Sequence, residues 1–248
     1  MLKVERQSII LEELRAFNKV KSSNLCDLLK VSEDTIRRDL NELEEKGQLK
    51  KVHGGAVSLS FIPSFKKREV IEIQTKHEIA KKALSLIEED MVLIIDGGTS
   101  NLQLINLLPT DKKLTIFTNS IPVASKLCEY PNIDGVLLGG NILRKGYTTI
   151  GYQAIETLLE IHADMCFLGI TSIDLKAGLT EVNRQETTIK KAIIKASKKV
   201  ATLAISNKIN SVQAFKVCDL GCLDVMVTEL EPSDPNLLPF KEKGIRII

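Results

Sequence analysis

Short runs of consecutive apolar residues alternate with amphipathic segments from His77 to the end of the chain. A strand with no polar face must be buried on both sides, so this alternation predicts a mainly parallel sheet covered by helices on both faces. The predicted strands are 91–95, 114–117, 136–138, 165–168, 200–205, 225–228 and 245–248, and helices are expected at 79–87, 102–108, 123–127, 154–159 and 185–197.

The first sixty residues have a different pattern, which predicts three short helices and a hairpin. Ser22 and Ser23 are candidate N-caps of the second helix, and Ser32 is the candidate N-cap of the third. The third helix buries a stripe at Ile36, Leu40 and Leu43, and a glycine at position 47 is expected to end it. Two short helices joined by a tight turn, behind a first helix, are typical of a helix-turn-helix.

The third helix is therefore the candidate recognition helix. Its outward side chains can reach base edges and phosphates in a major groove. A Gly54–Gly55 pair after Lys50, Lys51 and His53 predicts a hairpin, because both turn positions tolerate positive φ, and such a hairpin is a wing. The candidate DNA-binding residues are Ser22, Ser32, Thr35, Arg37, Arg38, Asn41, Lys50, Lys51, His53, Gly54 and Gly55.

Net charge gives this interpretation little support. The whole chain carries 34 Lys and Arg against 32 Asp and Glu, a net charge of +2. A packing or dimerisation unit is the alternative for the N-terminal segment, with Asp34/Arg38 and Arg38/Glu42 as ordinary i,i+4 helix pairs. DNA binding must therefore rest on where the charges lie, since bulk charge does not indicate it.

Several classes of protein are excluded by composition. The longest strongly apolar run, at 91–95, is far shorter than the ~20 residues of a membrane span, and residues 1–6 show no apolar leader segment. The odd number of cysteines, with no Cys-x-x-Cys, predicts reduced cytosolic thiols that lie mostly in the core. We expect a cytoplasmic protein with no metal, no cofactor and no catalytic residues.

Polar and glycine-rich residues collect where the predicted strands end, which is the ligand-binding edge of a parallel sheet. The sharpest of these segments is 96–100: its glycines let the backbone approach a ligand, its hydroxyls can donate, and a helix N-terminus follows. This pattern suits a phosphate or carboxylate, with Lys208 as a counter-charge. Glycines at such turns are also frequent for turn geometry alone.

The run 31–40, VSEDTIRRDL, followed by HGGA at 53–56, resembles the DeoR family of bacterial transcriptional regulators. The resemblance implies a winged helix-turn-helix domain on operator DNA. It continues through Asp96-x-Gly98-Thr99, Thr118-Asn119, Gly139-Gly140 and Lys208, and so covers nearly the whole chain. It also implies a Rossmann-like sensor domain, similar to ribose-5-phosphate isomerase and glucosamine-6-phosphate deaminase, that binds a phosphorylated sugar.

Two positions depart from the family pattern. Ser100 replaces a threonine and keeps its hydroxyl, whereas Ile205 stands where the family often has an aspartate three residues before the strand-end lysine. The candidate effector-binding residues are Asp96, Gly98, Thr99, Ser100, Thr118, Asn119, Gly139, Gly140 and Lys208.

We therefore expect a DNA-binding domain at 1–58, a linker at 59–76 and an α/β effector-sensing and oligomerisation domain at 77–248. The partners are double-stranded operator DNA, a phosphorylated sugar and further copies of the chain, as a dimer or tetramer, since helix-turn-helix proteins commonly contact two half-sites. Two alternatives stay open: a second domain that only oligomerises, and a phosphosugar isomerase or deaminase, for which no acid/base pair stands out.

Overall fold

The computed structural model describes residues 2–17, 19–57 and 63–248. It divides the chain into two compact units, Met1–Ile62 and Pro63–Ile248. No helix in the described ranges is long and apolar enough to cross a membrane.

The first unit packs three helices on a small antiparallel sheet with strand order β1-β3-β2. The buried stripe of α3 lies against Ile10 and Leu14 of the first helix and against Leu25 of the second. The elements are α1 (Lys3–Phe17), β1 (Lys19–Lys21), α2 (Ser22–Leu29), α3 (Glu33–Glu45), β2 (Lys50–Val52) and β3 (Gly55–Val57).

Two local predictions in this unit are wrong. The N-cap of α2 is Lys21, and neither Ser22 nor Ser23 caps the helix with its side chain, because the preceding residues form β1 and pair with β3. The hairpin also differs: only Gly54 has positive φ, +76°, while Gly55 lies in β3. Gly47, with φ of +64° directly after the α3 C-cap, confirms the predicted helix end.

Gly55 is required by a close approach of two strands. A Cβ atom added there would lie 2.0 Å from the carbonyl oxygen of Val20, whereas one added at Gly54 would meet nothing within 4 Å. We expect Gly55→Ala to destabilise the first unit by about 3 kcal/mol or more, since backbone must move. Gly54→Ala, the matched control, should cost only about 1–2 kcal/mol of left-handed strain. Hydrogen exchange of residues 2–57 in the full chain measures both, and equal protection in the two variants would contradict the assignment.

The second unit alternates strands and helices as predicted. Its helices are α4 (Phe65–Val70), α5 (Ile73–Ala83), α6 (Thr99–Asn106), α7 (Ile121–Leu127), α8 (Tyr152–Leu159), α9 (Arg184–Lys195) and α10 (Leu238–Glu242). Its strands are β4 (Val92–Ile95), β5 (Leu114–Thr118), β6 (Ile133–Leu137), β7 (Asn141–Leu143), β8 (Thr148–Ile150), β9 (Ala163–Leu168), β10 (Ser172–Asp174), β11 (Gly178–Glu181), β12 (Ser197–Leu203), β13 (Phe215–Cys218), β14 (Val225–Val227) and β15 (Arg246–Ile247).

Seven strands form one parallel sheet in the order β15-β14-β12-β9-β4-β5-β6. Successive residues of each central strand face opposite sides: Leu93 and Ile95 pack in the core with α5 and α6, while Ile94 packs in the core with α8 and α9. This two-sided burial confirms the α/β prediction and explains why the strands lack polar alternation.

Two small antiparallel sheets, β7-β8 and β10-β11-β13, were not predicted. Their strands are only three or four residues long, so they carry little sequence signal. The structure also pairs Cys218 with Cys222, whose Cα atoms lie 6.6 Å apart, and it exposes Cys128. The prediction of five reduced and mostly buried thiols is therefore wrong at these positions, whereas Cys166 is buried.

The predicted linker at 59–76 is too long. Residues 58–62 lie outside the described residues, but from Pro63 onward the chain belongs to the second unit and forms α4 and the start of α5. Phe65 is buried in the core of the second unit together with residues of α6, and Lys76 is 4% exposed. Most residues of this segment are polar, so its composition suggested a connector. A single buried aromatic ring nevertheless anchors the segment to the second unit.

Candidate functional site

The predicted recognition helix presents a basic, polar surface. On α3 the side chains of Arg37, Arg38 and Asn41 are exposed, and Thr35 is half-buried. Arg37 pairs with Asp34 at 2.9 Å, although both side chains remain about two-thirds exposed, so solvent screens the pair and DNA can replace it. Arg38 has no ion-pair partner among the described residues, so the predicted i,i+4 pairs to it do not form.

The beginning of α3 and the wing are fixed to this helix by side chains from the predicted set. Ser32 is the N-cap, as predicted: its hydroxyl accepts from Thr35 N at 3.4 Å and lies 2.9 Å from the Thr35 hydroxyl. Lys51 donates its ammonium to Asn41 Oδ1, and its backbone N donates to Glu44 at 2.7 Å. These contacts join β2 to α3 into one surface.

Two members of the predicted DNA-binding set lie elsewhere. Gly55 is buried under β1, so it does not reach the surface that Lys50, His53 and Gly54 share. Ser22 is half-buried at the start of α2, where its backbone N donates to Gly54 O at 2.8 Å. Its position supports the wing turn, and its hydroxyl stays a predicted contact.

A buried carboxylate that the sequence did not single out orients α3. Asp39 is 1% exposed and pairs with Arg6 of α1, whose Nη2 lies 3.1 Å from Oδ1. Gln7 donates to Glu42 at 3.1 Å and also to Asp39, so α1 holds the inner face of α3 along two turns. The outer face is thereby directed to solvent.

In the second unit, the segment after β4 forms a glycine loop that leads into α6. Gly98 is the N-cap of α6 with φ of +153°, and no side chain caps the helix there. Thr99 and Ser100 follow in the first turn and are both buried. Within the described ranges the Ser100 hydroxyl has no hydrogen-bond partner, and neither does the buried hydroxyl of Thr148, whose side chain packs against Gly97.

A buried ion network lies beside this loop. Lys190 of α9 is 2.5 Å from Asp96, donates to Gly169 O at 2.6 Å and lies 3.6 Å from Glu181. Burial lowers the pKa of Lys190, but Asp96, Glu181 and Glu186 more than offset this, so its pKa is raised and it stays charged. Asp96 is thereby committed to Lys190 and to the backbone N of Gly97 and Gly169, and it orients the loop.

The predicted pocket residues of the next two strands serve mainly as support. Thr118 donates to Ile95 O at 2.6 Å, and Asn119 accepts from Gly97 N at 3.1 Å. Both are fully buried. Gly139 and Gly140 follow the edge strand β6 and are exposed, and a Cβ at Gly140 would lie 2.4 Å from Ile150 O, so this glycine permits the β7-β8 hairpin.

Lys208 lies in a short 3-10 helix after β12 and is half-buried. Its ammonium has no hydrogen-bond or ion-pair partner among the residues that the structure describes. Its pKa is lowered to about 8, chiefly by burial and then by the positive charge of Arg68, while Glu181 acts in the opposite direction. Ile205, where an aspartate was expected, is buried in the core instead.

The predicted effector-binding set omitted Lys190, Thr148 and Arg68, although the family resemblance also extends to Glu186 with Lys190, and the basic run 66–69 had a position near phosphates as its alternative to a solvated linker. A signal existed for Lys190, because it interrupts the apolar stripe of α9 between Thr187 and Ile193. No local pattern marks Thr148, and only the tertiary structure brings it and Arg68 to the strand ends.

Two family models match the chain. The DeoR-like helix-turn-helix domain matches residues 6–61, and the DeoR C terminal sensor domain matches residues 71–230. This chain belongs to the DeoR family. The DeoR-family assignment confirms the resemblance drawn from the VSEDTIRRDL and HGGA motifs, and it confirms a regulator and not an enzyme.

Curated relatives of this DeoR-family chain span its full length. The HTH-type transcriptional regulator GolR of Listeria innocua is 31% identical over 100% of this chain and 98% of its own length. The HTH-type transcriptional repressor GlcR of Bacillus subtilis is 30% identical over 100% and 96%. Among solved structures, ribose 5 phosphate isomerase A of Neisseria gonorrhoeae is similar with a TM-score of 0.40 and 16% identity, over 56% of this chain and 53% of that one.

Proposed function

We propose that this protein is a repressor of a carbohydrate-metabolism operon, and that a phosphorylated sugar bound at the strand ends of the second unit changes its affinity for operator DNA. The protein acts in the cytoplasm as a homo-oligomer, since two copies are needed to contact two half-sites. The repressor assignment is supported by relatives such as GlcR, whose name states that role.

The exposed α3 surface supports the DNA-binding part of the proposal. Arg37, Arg38 and Asn41 project from a helix whose opposite face is fixed to α1, and Lys51 brings the wing alongside. Arginine can bind the edge of a guanine through two hydrogen bonds, and arginine and lysine can both bind phosphates. These side chains therefore supply sequence specificity and fix the position of the protein on the duplex. A packing unit would not need this face to remain exposed.

The observation that carries the sensing part is the buried hydroxyl of Ser100, which has no partner among the residues that the structure describes. Buried hydroxyls are normally hydrogen-bonded, and this one stands in the first turn of α6, where free N–H groups and the helix dipole favour an anion. The unpaired Lys208 supplies positive charge. One phosphate group bound by Ser100, the α6 N-terminus and Lys208 would account for all three features, which an oligomerisation domain would leave unexplained.

The carboxylate of Glu186 offers an acceptor for sugar hydroxyls in place of the missing aspartate. A Cβ atom built on Gly146 would lie 3.0 Å from both Glu186 Oε1 and Thr148 Oγ1, so these two oxygens border the same space. Burial raises the pKa of Glu186 against the opposing charge of Lys190. Selection of the sugar thus falls to Glu186 and Thr148, while Ile205 contributes only packing.

Thermal shift and calorimetry with a panel of aldose and ketose monophosphates test the sensing part. We expect one or more to bind and stabilise the parent chain, and the matching unphosphorylated sugars to bind at least tenfold more weakly. Ser100→Ala and Lys208→Met should each weaken binding about tenfold or more, as expected for loss of a hydrogen bond to a charged group. The exposed Lys191→Met is the matched control.

Absence of binding across the whole panel would overturn the sensing proposal and favour a second unit that only oligomerises. Binding that survives both substitutions would place the anion elsewhere. Turnover of any panel member would instead revive an enzymatic role.

A further inference from the structure

Arg68 of α4 is a desolvated cation without a carboxylate partner among the described residues. Its Nε donates to Pro63 O at 3.1 Å, and its Cζ lies 5.9 Å from the centre of the Phe65 ring. Its two terminal nitrogens have no hydrogen-bond partner in the part of the chain that the structure describes. Burial holds its pKa below the usual value, although Glu186 and Glu181 act in the opposite direction.

Positive charges gather around this guanidinium. The electrostatic neighbours of Lys208 include Arg68, Lys76 and Lys190, all of which lower its pKa. Lys76 is buried and donates its ammonium to the carbonyls of Arg68 and Ile71. Like charges in a low-dielectric site repel one another, so their assembly costs free energy unless an anion compensates them.

Two nearby carboxylates, Asp96 and Glu181, are already committed, whereas Glu186, which also attracts Arg68, is the proposed acceptor for sugar hydroxyls. Glu181 accepts from Thr171 at 2.6 Å and pairs with Lys190, which is also the partner of Asp96. Lys190 additionally donates to Gly169 O, and Gly169 Cα would lie 3.8 Å from a Cβ on Gly98. The cations are therefore joined through Lys190 to the glycine loop of the proposed phosphate site.

The helix α4 is tied to the same site by its first residue. Phe65 N donates to Lys145 O at 3.1 Å, and the Phe65 ring lies 5.6 Å from the ring of Tyr147. Tyr147 directly precedes Thr148, whose buried hydroxyl is unpartnered. A ligand at this position would act on α4 through Arg68 and through the 145–148 segment, which contacts Phe65.

We propose that Arg68 is an effector-binding residue that holds the anionic group together with Lys208, and that α4 transmits effector binding to the DNA-binding unit. This inference rests on the proposed function and adds a residue from the segment that the sequence placed in a linker. The second unit begins at Pro63, and Arg68 donates a hydrogen bond to the carbonyl of that residue. A shift of Arg68 on effector binding would therefore act at the point where the chain passes from one unit to the other.

The test compares Arg68→Gln, Arg68→Lys and the exposed neighbour Lys67→Gln in the full chain. The probes are inorganic phosphate and the sugar monophosphate that binds the parent best. Arg68→Gln should weaken sugar monophosphate binding at least tenfold and abolish effector-induced release of DNA, while DNA affinity without effector is retained. Arg68→Lys should give an intermediate affinity, since it keeps the charge but not the bidentate fork.

Stability without ligand separates a ligand-binding role from a structural one. Removal of a cation from a cluster of like charges should leave the melting temperature of Arg68→Gln unchanged or raise it, and a structural residue would lower it. Parent-like binding by Arg68→Gln, with binding lost in Ser100→Ala, would overturn the inference and leave the proposed function intact. A parent that binds no panel member would overturn both.

Discussion

Arg37→Ala/Arg38→Ala should reduce the affinity for specific duplex DNA by about 100-fold or more. Each arginine contact to a base edge is worth about 1–3 kcal/mol, and an oligomer loses it in every half-site. Gel-shift titration measures the effect on a duplex that the parent chain enriches from a random-sequence pool. Because phosphate contacts are lost as well, the slope of log affinity against log salt should become shallower by about one for each phosphate contact removed.

The matched control is Lys3→Ala/Lys46→Ala, which also removes two positive charges, but from the contact between α1 and α3. Lys3 pairs with Glu42 at 2.6 Å, and Lys46 donates to Gln7 at 3.3 Å. This double variant should keep most of the specific affinity. Equal losses in the two double variants would mean that bulk charge carries binding, and the recognition-helix assignment would be rejected. Failure of the parent to enrich any duplex would overturn DNA binding.

Lys190→Met should destabilise the second unit by about 3–5 kcal/mol, because it leaves Asp96 and Glu181 buried without their shared counter-charge. Chemical unfolding of the full chain, followed by circular dichroism together with hydrogen exchange of residues 63–248, measures the loss. The adjacent Lys191→Met is the matched control: this side chain is exposed on the same helix, so its replacement should change stability by no more than about 0.5 kcal/mol.

The loss of stability caused by Lys190→Met should become smaller as pH falls. Without Lys190, the burial of Asp96 and Glu181 favours their neutral forms. Their protonation then stabilises the folded state at low pH, so the difference from the parent should shrink as pH falls. Asp96→Asn in the Lys190→Met background should recover part of the stability. A full-sized loss at every pH, with no recovery, would show that Lys190 acts through packing.

Much of the architecture follows from local sequence. Continuous apolar runs such as 91–95 predict buried parallel strands because a strand without a polar face has to be covered on both sides, and the model places Val92–Ile95 in the sheet. The Ser32 cap and Gly47 stop of α3 are equally local, since both satisfy backbone groups within one helical turn. The Gly55 position is different: its glycine is required by β1, thirty-four residues earlier in the chain.

The sequence by itself determined the family, the two-unit organisation and the residues that α3 exposes, because helical period and motif spacing are properties of neighbouring residues. Only the tertiary structure showed that Asp96 is committed to Lys190, ninety-four positions away. It also placed Arg68, which the sequence assigned to a linker, near the strand ends, and it showed the Ser100 hydroxyl buried with no partner in the described part of the chain. Burial and charge compensation depend on groups distant in the chain, so no local pattern could assign them.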